Sequence, residues 1–292
     1  MRIAVCLKHV PDPTTVEVDP LTGAIDGSRL LSIINPADAG ALEIGLQLRG
    51  SSDPIHALTV GPPSADAVLR EALAVGADRV ERLWDTTQPA THPLLTATLL
   101  AAALRVEPLP DLVLCGARST DQGSGQVPAL LAEYLDWPVV TDVTHVAHDG
   151  AVARVQCRLE RGARAEVEVT LPCVLALEPG IARLRHASLT GLLTAQRAVI
   201  PVRHAADLGL TAADLSFPQP VLEAVLPPRP RPRVLRMPDS NQAPHERISQ
   251  ILSAGVTRKS GHILEGPPDQ MAAAIIAFLR ERGLLNVDAV EC

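Results

Sequence analysis

Aromatic side chains are scarce in this chain, whose 292 residues include 2 Trp, 1 Tyr and 2 Phe. The hydrophobic fraction of 47% therefore consists almost wholly of aliphatic residues. Aliphatic runs are typical of parallel strands that are buried between layers of helices. The fraction is large enough for a packed core, so we expect a globular α/β protein.

Cysteine and positive charge are also limited. The five cysteines are odd in number and form no CxxC pair, which argues against a disulfide framework or a zinc site. Cys6, Cys115 and Cys173 lie in apolar runs, so they are expected to be small buried side chains. With 26 Lys and Arg against 33 Asp and Glu, the net charge of −7 argues against nucleic acid binding.

Long apolar runs are missing as well. No stretch approaches the roughly 20 apolar residues that a membrane-spanning helix needs. The apolar start is broken by Lys8, His9 and Pro11, which is too early for a signal peptide. The sequence therefore predicts a soluble, cytoplasmic protein without membrane insertion.

Short aliphatic runs alternate with helical patterns over the first 140 residues. This spacing predicts βαβ units with right-handed crossovers, and hence a parallel sheet. The predicted strands are Arg2–Lys8, His56–Val60, Arg79–Leu83 and Leu112–Cys115. Four helices are predicted between and after these strands. The first begins at Pro36 with Asn35 as N-cap, and the second follows Ser64 as N-cap and ends at Gly76. The other two cover Pro93–Leu104 and Pro128–Leu135.

The pattern then changes to strands with almost no room for helices between them. These strands are Val139–Val146, Val152–Leu159, Ala165–Leu171 and Cys173–Leu177. Such spacing predicts an antiparallel extension of the same sheet. The expected fold is thus an open, mostly parallel α/β sheet with an antiparallel extension, followed by a C-terminal arm.

The loop after the fourth predicted strand, residues 116–127, lies where ligands of open α/β sheets bind. Small residues at Gly123, Ser124 and Gly125 let the backbone approach a ligand, and the next helix offers free amides and a positive dipole end. This pattern suits a phosphate. No GxxxxGK[ST] or GxGxxG motif is present, and a plain glycine-turn connection explains the same residues equally well.

The C-terminal third differs in composition from the rest. Residues 217–238 are rich in proline, which favours extended backbone and resists helix formation. Pro267–Arg282 has the spacing of one amphipathic helix. We therefore predict a nucleotide-binding α/β domain at 1–195 and an arm at 196–292 whose helix packs on a partner subunit. The alternative is a disordered linker whose helix folds back on its own domain.

Five ordered stretches resemble one known family. They are RIAVCLKHVPD, INPADAGALEIGLQL, TVGPPSADAVLREALAVGADRV, DLVLCGARSTDQGSGQVPALLAEYLDWP and EVTLPCVLALEPGIARLRHASLTGLLTA. On these motifs the chain resembles the beta (small) subunit of electron-transfer flavoproteins. The resemblance implies a domain of the adenine-nucleotide-binding type whose arm embraces an alpha subunit. It also implies AMP as a structural ligand of this chain, with FAD shared with or held by the alpha subunit.

Matching positions imply where AMP would be contacted. The residues are Cys6, Asn35, Pro36, Ala37, Asp38, Val60, Gly116, Ser119, Thr120, Asp121, Gln122, Gly123, Ser124, Gly125, Gln126 and Val127. The last four would hold the phosphate, in agreement with the argument from the helix end.

The stretch from His186 to Leu193 resembles the recognition loop of the family, in which a protruding leucine, here Leu189, anchors a partner dehydrogenase. Arg185 and Leu192 are expected to take part in this docking. An exposed aliphatic anchor is the kind of residue that dominates a transient interface, and the alternative is a buried turn of helix. Where the family has Asn-Glu-Pro-Arg, residues 182–185 read Ala-Arg-Leu-Arg, which leaves the identity of the dehydrogenase open.

The expected function is that of an electron carrier subunit with neither catalytic side chains nor a metal. With an alpha subunit it would form an FAD-containing heterodimer that takes electrons from a dehydrogenase and passes them to a respiratory-chain-linked acceptor. One alternative is a bifurcating variant in which a second FAD replaces AMP in this chain. The other is a stand-alone nucleotide hydrolase, which ranks last because Asp121 is the sole carboxylate of the loop.

Overall fold

A computed structural model describes residues 1–19, 21–50, 53–84, 92–106, 108–217, 242–252 and 265–282. The chain divides into two compact units, Met1–Pro228 and Arg229–Cys292. No helix among the described residues is long and apolar enough to cross a membrane.

The first unit contains thirteen strands and five α-helices among the described residues. The strands are β1 (Ile3–Cys6), β2 (His9–Pro11), β3 (Glu17–Val18), β4 (Ile25–Asp26), β5 (Ser32–Ile34), β6 (Ile55–Val60), β7 (Arg79–Leu83), β8 (Leu112–Gly116), β9 (Val139–Asp149), β10 (Val152–Arg158), β11 (Arg164–Thr170), β12 (Cys173–Leu177) and β13 (Val202–Arg203). The helices are α1 (Pro36–Leu48), α2 (Asp66–Val75), α3 (Pro93–Arg105), α4 (Val127–Leu135) and α5 (Leu189–Arg197).

Nine of the strands form one sheet in the order β11-β10-β9-β12-β8-β1-β6-β7-β13. Neighbours from β9 to β13 run parallel, whereas β9, β10 and β11 pair antiparallel. The predicted α/β fold with an open, mostly parallel sheet and an antiparallel extension is confirmed. The short strand pairs β2–β5 and β3–β4 were not predicted.

One predicted strand pairs differently from the expectation. Cys173–Leu177 was assigned to the antiparallel extension, but β12 lies between β8 and β9 and runs parallel to both. All five of its residues are buried. A strand that is buried on both faces consists of a continuous run of apolar residues, whereas strands with one exposed face alternate apolar and polar residues. Cys173–Leu177 has the continuous pattern, unlike the strands of the extension.

The sheet is covered by helices on both faces. On one face, Ile3 and Val5 belong to a core that includes buried residues of α1 and α2. On the other, Ala4 and Cys6 belong to a core that includes buried residues of α3 and α4. This alternation along β1 follows from the two-residue period of a strand. All four helices thus lie against the sheet, and the loops before α1 and α4 meet at its carboxyl edge.

The ends of α2 test two predictions. Gly76 ends the helix with a φ of +117°, a left-handed conformation that glycine adopts without strain. The prediction of Ser64 as N-cap was wrong, because Ser64 lies inside a short 3-10 turn at Pro63–Ala65 and α2 begins at Asp66 without a side-chain cap.

The chain after β12 adds further structure to the first unit. Helix α5 packs against α2, and a Cβ on Gly191 would lie only 2.4 Å from Ala74 O. Beyond α5, β13 pairs with β7. The predicted boundary at residue 195 falls inside α5, and the first unit extends to Pro228.

The second unit contains two described helices, α6 (Pro244–Leu252) and α7 (Pro268–Glu281). The helix predicted over Pro267–Arg282 is therefore confirmed as α7. Its apolar residues Ile275 and Phe278 are exposed within the chain. The proline-rich stretch 218–241 lies outside the described residues, and packing of the arm on a partner stays a prediction.

Candidate functional site

A cleft opens at the carboxyl edge of the parallel sheet. Its volume is about 740 Å³ when the space at its open mouth is included. The ends of β1 and β6, the first turns of α1 and α3 and the loop from β8 to α4 line it. This is the edge at which open α/β sheets bind their ligands.

The structure brings most of the predicted site residues together here. Those that line the cleft are Cys6, Asn35, Asp38, Val60, Gly116, Ser119, Gln122, Ser124, Gly125, Gln126 and Val127. Pro36, Ala37, Thr120, Asp121 and Gly123 do not line it. Thr120 and Asp121 instead make contacts that hold the loop.

Sequence reasoning missed part of the lining. The additional residues are Leu7, Lys8, Pro93, Thr96, Leu100, Cys115, Ala117, Arg118 and Pro128. Lys8 lies two residues after the end of β1, so its position near a strand end was a usable signal. Of the α3 residues only Thr96 is polar, so this helix gave little polar signal.

Asp38 joins the two strand ends beneath the cleft. Its Oδ2 accepts a hydrogen bond from Lys8 N at 2.7 Å, and its Oδ1 accepts one from Gly116 N at 2.8 Å. Burial raises the pKa of Asp38 to about 7, although these hydrogen bonds act to lower it. A Cβ on Gly116 would lie 2.2 Å from Asp38 Oδ1, so this contact requires glycine.

Asn35 occupies the predicted N-cap position of α1, but its side chain does not cap the helix. Its Nδ2 donates to Arg118 O at 3.1 Å, and its Oδ1 accepts from Thr120 N at 3.1 Å. Because Asn35 is buried, both bonds form away from water, where unmade hydrogen bonds are costly. The side chain therefore fixes the path of the loop.

Lys8 fixes the same loop from the opposite side. Its Nζ lies 2.8 Å from Asp121 Oδ1 and 3.3 Å from Ser119 Oγ. Burial acts to raise the pKa of Asp121, but the hydrogen bonds from Lys8 and its neighbours hold it below the ordinary value. Asp121 is thus a charged anchor of the loop rather than a base facing the cleft.

The loop ends in a row of free main-chain amides. Within the described part of the chain, the N–H groups of Ser124, Gly125, Gln126 and Val127 make no hydrogen bond. Gly123 and Gly125 have φ values of +62° and +64°, which other L residues rarely adopt. Helix α4 begins at Val127, so its positive dipole end lies at the same place. The row is suited to hold an anion.

The opposite wall of the cleft is apolar. Leu7, Val60 and Leu100 contribute aliphatic surface to it. At its base the Cys115 thiol contacts that of Cys6, and this contact together with burial raises the pKa of Cys115. A protonated thiol is a poor nucleophile. No group of three or more potential metal ligands was found in the part of the chain that the structure describes.

An apolar wall beside a row of amides fits an adenylate, whose base is flat and whose phosphate is charged. Four unpartnered N–H groups match one phosphate without any lysine of a Walker motif. The fold and the site thus define the class: an open α/β protein with a cleft at the carboxyl edge of its sheet that is suited to hold an anion.

The residues predicted to dock a dehydrogenase lie around α5. Leu189 is 74% exposed and Leu192 is 50% exposed. Ser188 caps the helix, since its Oγ accepts a hydrogen bond from Gly191 N at 3.0 Å. The alternative of a buried helical turn is therefore wrong for Leu189.

Arg185 is engaged within the chain. Its guanidinium donates to Glu43 Oε2 at 2.9 Å and to Glu43 Oε1 at 2.8 Å. This pairing lowers the pKa of Glu43, which is buried in α1. Arg185 thus ties the segment before α5 to helix α1, and a docking role for it stays a prediction.

Comparison with known proteins gives the family. An electron transfer flavoprotein domain model matches residues 22–208. The electron transfer flavoprotein subunit beta of Methylophilus methylotrophus is 32% identical over 238 residues, which cover 78% of this chain and 89% of that protein. Protein FixA of Azorhizobium caulinodans is 34% identical over 218 residues, or 72% of this chain and 77% of that protein.

A third relative, subunit CarD of the caffeyl-CoA reductase-Etf complex of Acetobacterium woodii, is 36% identical over 213 residues, or 72% of this chain and 81% of that protein. The chain belongs to the electron transfer flavoprotein family and is similar to the beta subunits and FixA proteins of that family. Its role is therefore electron transfer as one subunit of a flavoprotein. The family resemblance read from the five motifs is confirmed.

Proposed function

We propose that this chain binds AMP in the carboxyl-edge cleft and works in a heterodimer with an alpha subunit that holds most of the FAD. The heterodimer takes electrons from a dehydrogenase and passes them to a respiratory-chain-linked acceptor. The chain itself contributes no catalytic side chain. A cytoplasmic location stays a prediction from the sequence.

The row of free amides at Ser124–Val127 is the observation that carries the proposal. Four N–H groups without partners at a helix mouth are costly unless water or a ligand satisfies them. A phosphate satisfies them and adds charge of the sign that the helix end favours. The aliphatic wall of Leu7, Val60 and Leu100 then takes the adenine face.

The remaining residues of the cleft keep the loop in shape. Asn35 and Lys8 hold it by hydrogen bonds to Arg118 O and to Asp121 Oδ1. Asp38 joins β1 to β8 beneath it. These contacts place the amides before any ligand arrives, so little ordering is required on binding. AMP in this role is a structural ligand.

Electron uptake and release belong to the chemistry of the FAD, and the protein supplies its position and surroundings. The part of this chain that would serve the dehydrogenase is α5, whose Leu189 side chain is exposed and whose ends are fixed. A mainly exposed leucine on a rigid helix loses little entropy when it enters an apolar pocket.

A nucleotide hydrolase on this fold has little support, because the carboxylate of the loop, Asp121, is already paired with Lys8 at 2.8 Å. The bifurcating alternative places a second FAD in the same cleft, so the cleft itself does not distinguish the two hypotheses. The flavin content of the heterodimer does. The bifurcating variant would give two flavins per heterodimer, whereas the proposal gives one.

The proposal is tested by co-expressing the chain with its alpha subunit. The purified complex is denatured, and the released AMP and FAD are quantified against protein. We expect one AMP and one FAD per heterodimer. Two FAD and no AMP would establish the bifurcating variant. A chain that binds neither nucleotide nor an alpha subunit would overturn the proposal.

A further inference from the structure

Arg118 belongs both to the nucleotide cleft and to a charged cluster beside it. The residue lines the cleft, but its guanidinium Nη2 lies 3.2 Å from Asp142 Oδ1 and 3.6 Å from Glu178 Oε1. Asp142 is in β9, and Glu178 directly follows β12. Because β8, β12 and β9 are parallel neighbours, these three side chains meet at the carboxyl edge.

Asp142 is held in place at a local cost. Its φ is +54°, a left-handed conformation that is rare outside glycine and most accessible to Asn and Asp. The register of β9 against both β10 and β12 is irregular at this point. Strained residues of this kind persist where the surrounding structure requires them. The strain here directs one carboxyl toward a second.

The two carboxyls interact, and a hydrogen bond between them requires that one of them, Glu178, holds a proton. This bond lowers the pKa of Asp142, while burial raises the pKa of Glu178. Glu178 also has a second cation, since Arg158 Nη2 lies 3.0 Å from its Oε1. The pair therefore keeps a positive partner when Arg118 moves away.

Arg118 can leave at low cost. Its side chain is 55% exposed, and ion pairs that open to solvent contribute little to stability. Its stem lies beside the amide row, because a Cβ on Gly125 would be 4.0 Å from Arg118 Cβ. A guanidinium that turns from Asp142 toward Gly125 thus faces the phosphate end of the cleft.

The amide row satisfies one phosphate, and a second phosphate would extend past it. A planar guanidinium with parallel donors is the protein group best matched to a phosphate. We propose that Arg118 determines phosphate specificity: it rests on Asp142 and Glu178 when the cleft holds a monophosphate, and it turns to contact the second phosphate of a diphosphate-bearing adenine nucleotide. This inference rests on the proposed nucleotide site.

The test uses AMP and ADP as probes, because ADP adds one phosphate without a flavin. Their dissociation constants are measured by calorimetry on the nucleotide-free complex with the alpha subunit. The variants are Arg118→Gln, Asp142→Asn and, as control, Arg154→Gln. Arg154 pairs with Glu168 on the antiparallel extension and does not line the cleft. Asn tolerates the left-handed backbone, so Asp142→Asn is expected to fold.

Arg118→Gln is expected to weaken ADP binding about tenfold more than AMP binding, which corresponds to loss of one charged hydrogen-bonded contact. Asp142→Asn is expected to improve the ADP to AMP affinity ratio about threefold, because the arginine is released. Arg154→Gln is expected to leave the ratio unchanged. An unchanged ratio in Arg118→Gln would overturn the inference while leaving the AMP site intact. Failure of the native complex to bind AMP would instead remove the proposed function and this inference with it.

Discussion

Gly116 N donates a hydrogen bond to Asp38 Oδ1 at 2.8 Å, and a Cβ on Gly116 would lie 2.2 Å from the same oxygen. The end of β8 and the buried carboxyl are therefore too close for any side chain at position 116. Both residues line the cleft, so a change in their contact would alter its lining.

Gly116→Ala is expected to lower the free energy of unfolding by about 2 kcal/mol, because the new methyl group forces β8 away from Asp38. AMP content of the purified complex should fall with it. Chemical denaturation and nucleotide release measure the two effects. Gly27→Ala is the control, since nothing lies within 4 Å of a Cβ there. Equal stability of the two variants would contradict the prediction.

Asp38 is expected to make stability depend on pH. Burial raises its pKa to about 7 from an ordinary 3.8, so the folded chain keeps a proton that the unfolded chain loses. The contribution of this group is therefore greatest below 3.8 and is lost as the pH rises to about 7. Across that window the free energy of unfolding should fall by up to about 4 kcal/mol.

The measurement is urea denaturation of the chain at pH values from 5 to 8, compared with the variant Asp38→Asn. An amide does not titrate, so the variant should lose most of the decrease seen in the native chain over this range. Its overall stability should also be lower, because an amide has one acceptor oxygen for the N–H groups of Lys8 and Gly116. Parallel pH profiles for the two proteins would show that Asp38 is not the group responsible.

Arg70 of α2 is expected to keep helix α5 folded. Its Nη1 lies within hydrogen-bond distance of three carbonyls at the end of α5, Ala195 O at 2.7 Å, Gln196 O at 2.9 Å and Ala198 O at 2.9 Å. The charge also complements the negative end of the helix dipole. Arg70→Met should therefore destabilise α5 locally by about 1 kcal/mol.

Amide hydrogen exchange read out by mass spectrometry tests this directly. Peptides that cover 189–197 should exchange several-fold faster in Arg70→Met, while peptides from the sheet should not change. Arg154→Met is the control, because Arg154 pairs with an exposed Glu168 on the antiparallel extension. Unchanged exchange in α5 would mean that its packing on α2 alone keeps it folded.

Leu189 is expected to dominate recognition of the dehydrogenase. With a dehydrogenase that reduces the native heterodimer, Leu189→Ala should lower the second-order rate of flavin reduction about tenfold. Flavin content should not change, because the side chain is 74% exposed in this chain. Leu109→Ala, at an exposed leucine after α3, should leave the rate unaltered. Equal rates for the two variants would count against docking at α5.

Much of the fold could be predicted from periodicity and end signals. Arg79–Leu83 was predicted with its observed bounds, and Gly76 ends α2 as expected. These features depend on local backbone preferences that a few residues express. Strand pairing is not a local property, because it depends on residues far apart in sequence. The position of Cys173–Leu177 in the sheet was therefore predicted wrongly.

The site was predicted in part, and for a similar reason. The glycines and the helix start of the 116–127 loop carry their signal locally. The roles of Lys8 and Asn35 have no local sequence signal, since each side chain bonds to a loop more than 80 residues away. Arg185 was expected to face a partner, yet its guanidinium is paired with Glu43, which lies 142 positions earlier in the sequence. A buried acid in an otherwise apolar helix face was the available signal.

The central position of β12 also orders the assembly of the molecule during synthesis. Because β12 separates β8 from β9, the hairpin strands β9 to β11 have no place in the sheet until residue 177 has left the ribosome. Before that moment β8 presents an unpaired edge of mainly apolar residues, and such edges are prone to aggregation. The nascent chain thus passes through an interval of about 60 residues, or several seconds of translation, in which chaperone binding to this edge would matter most.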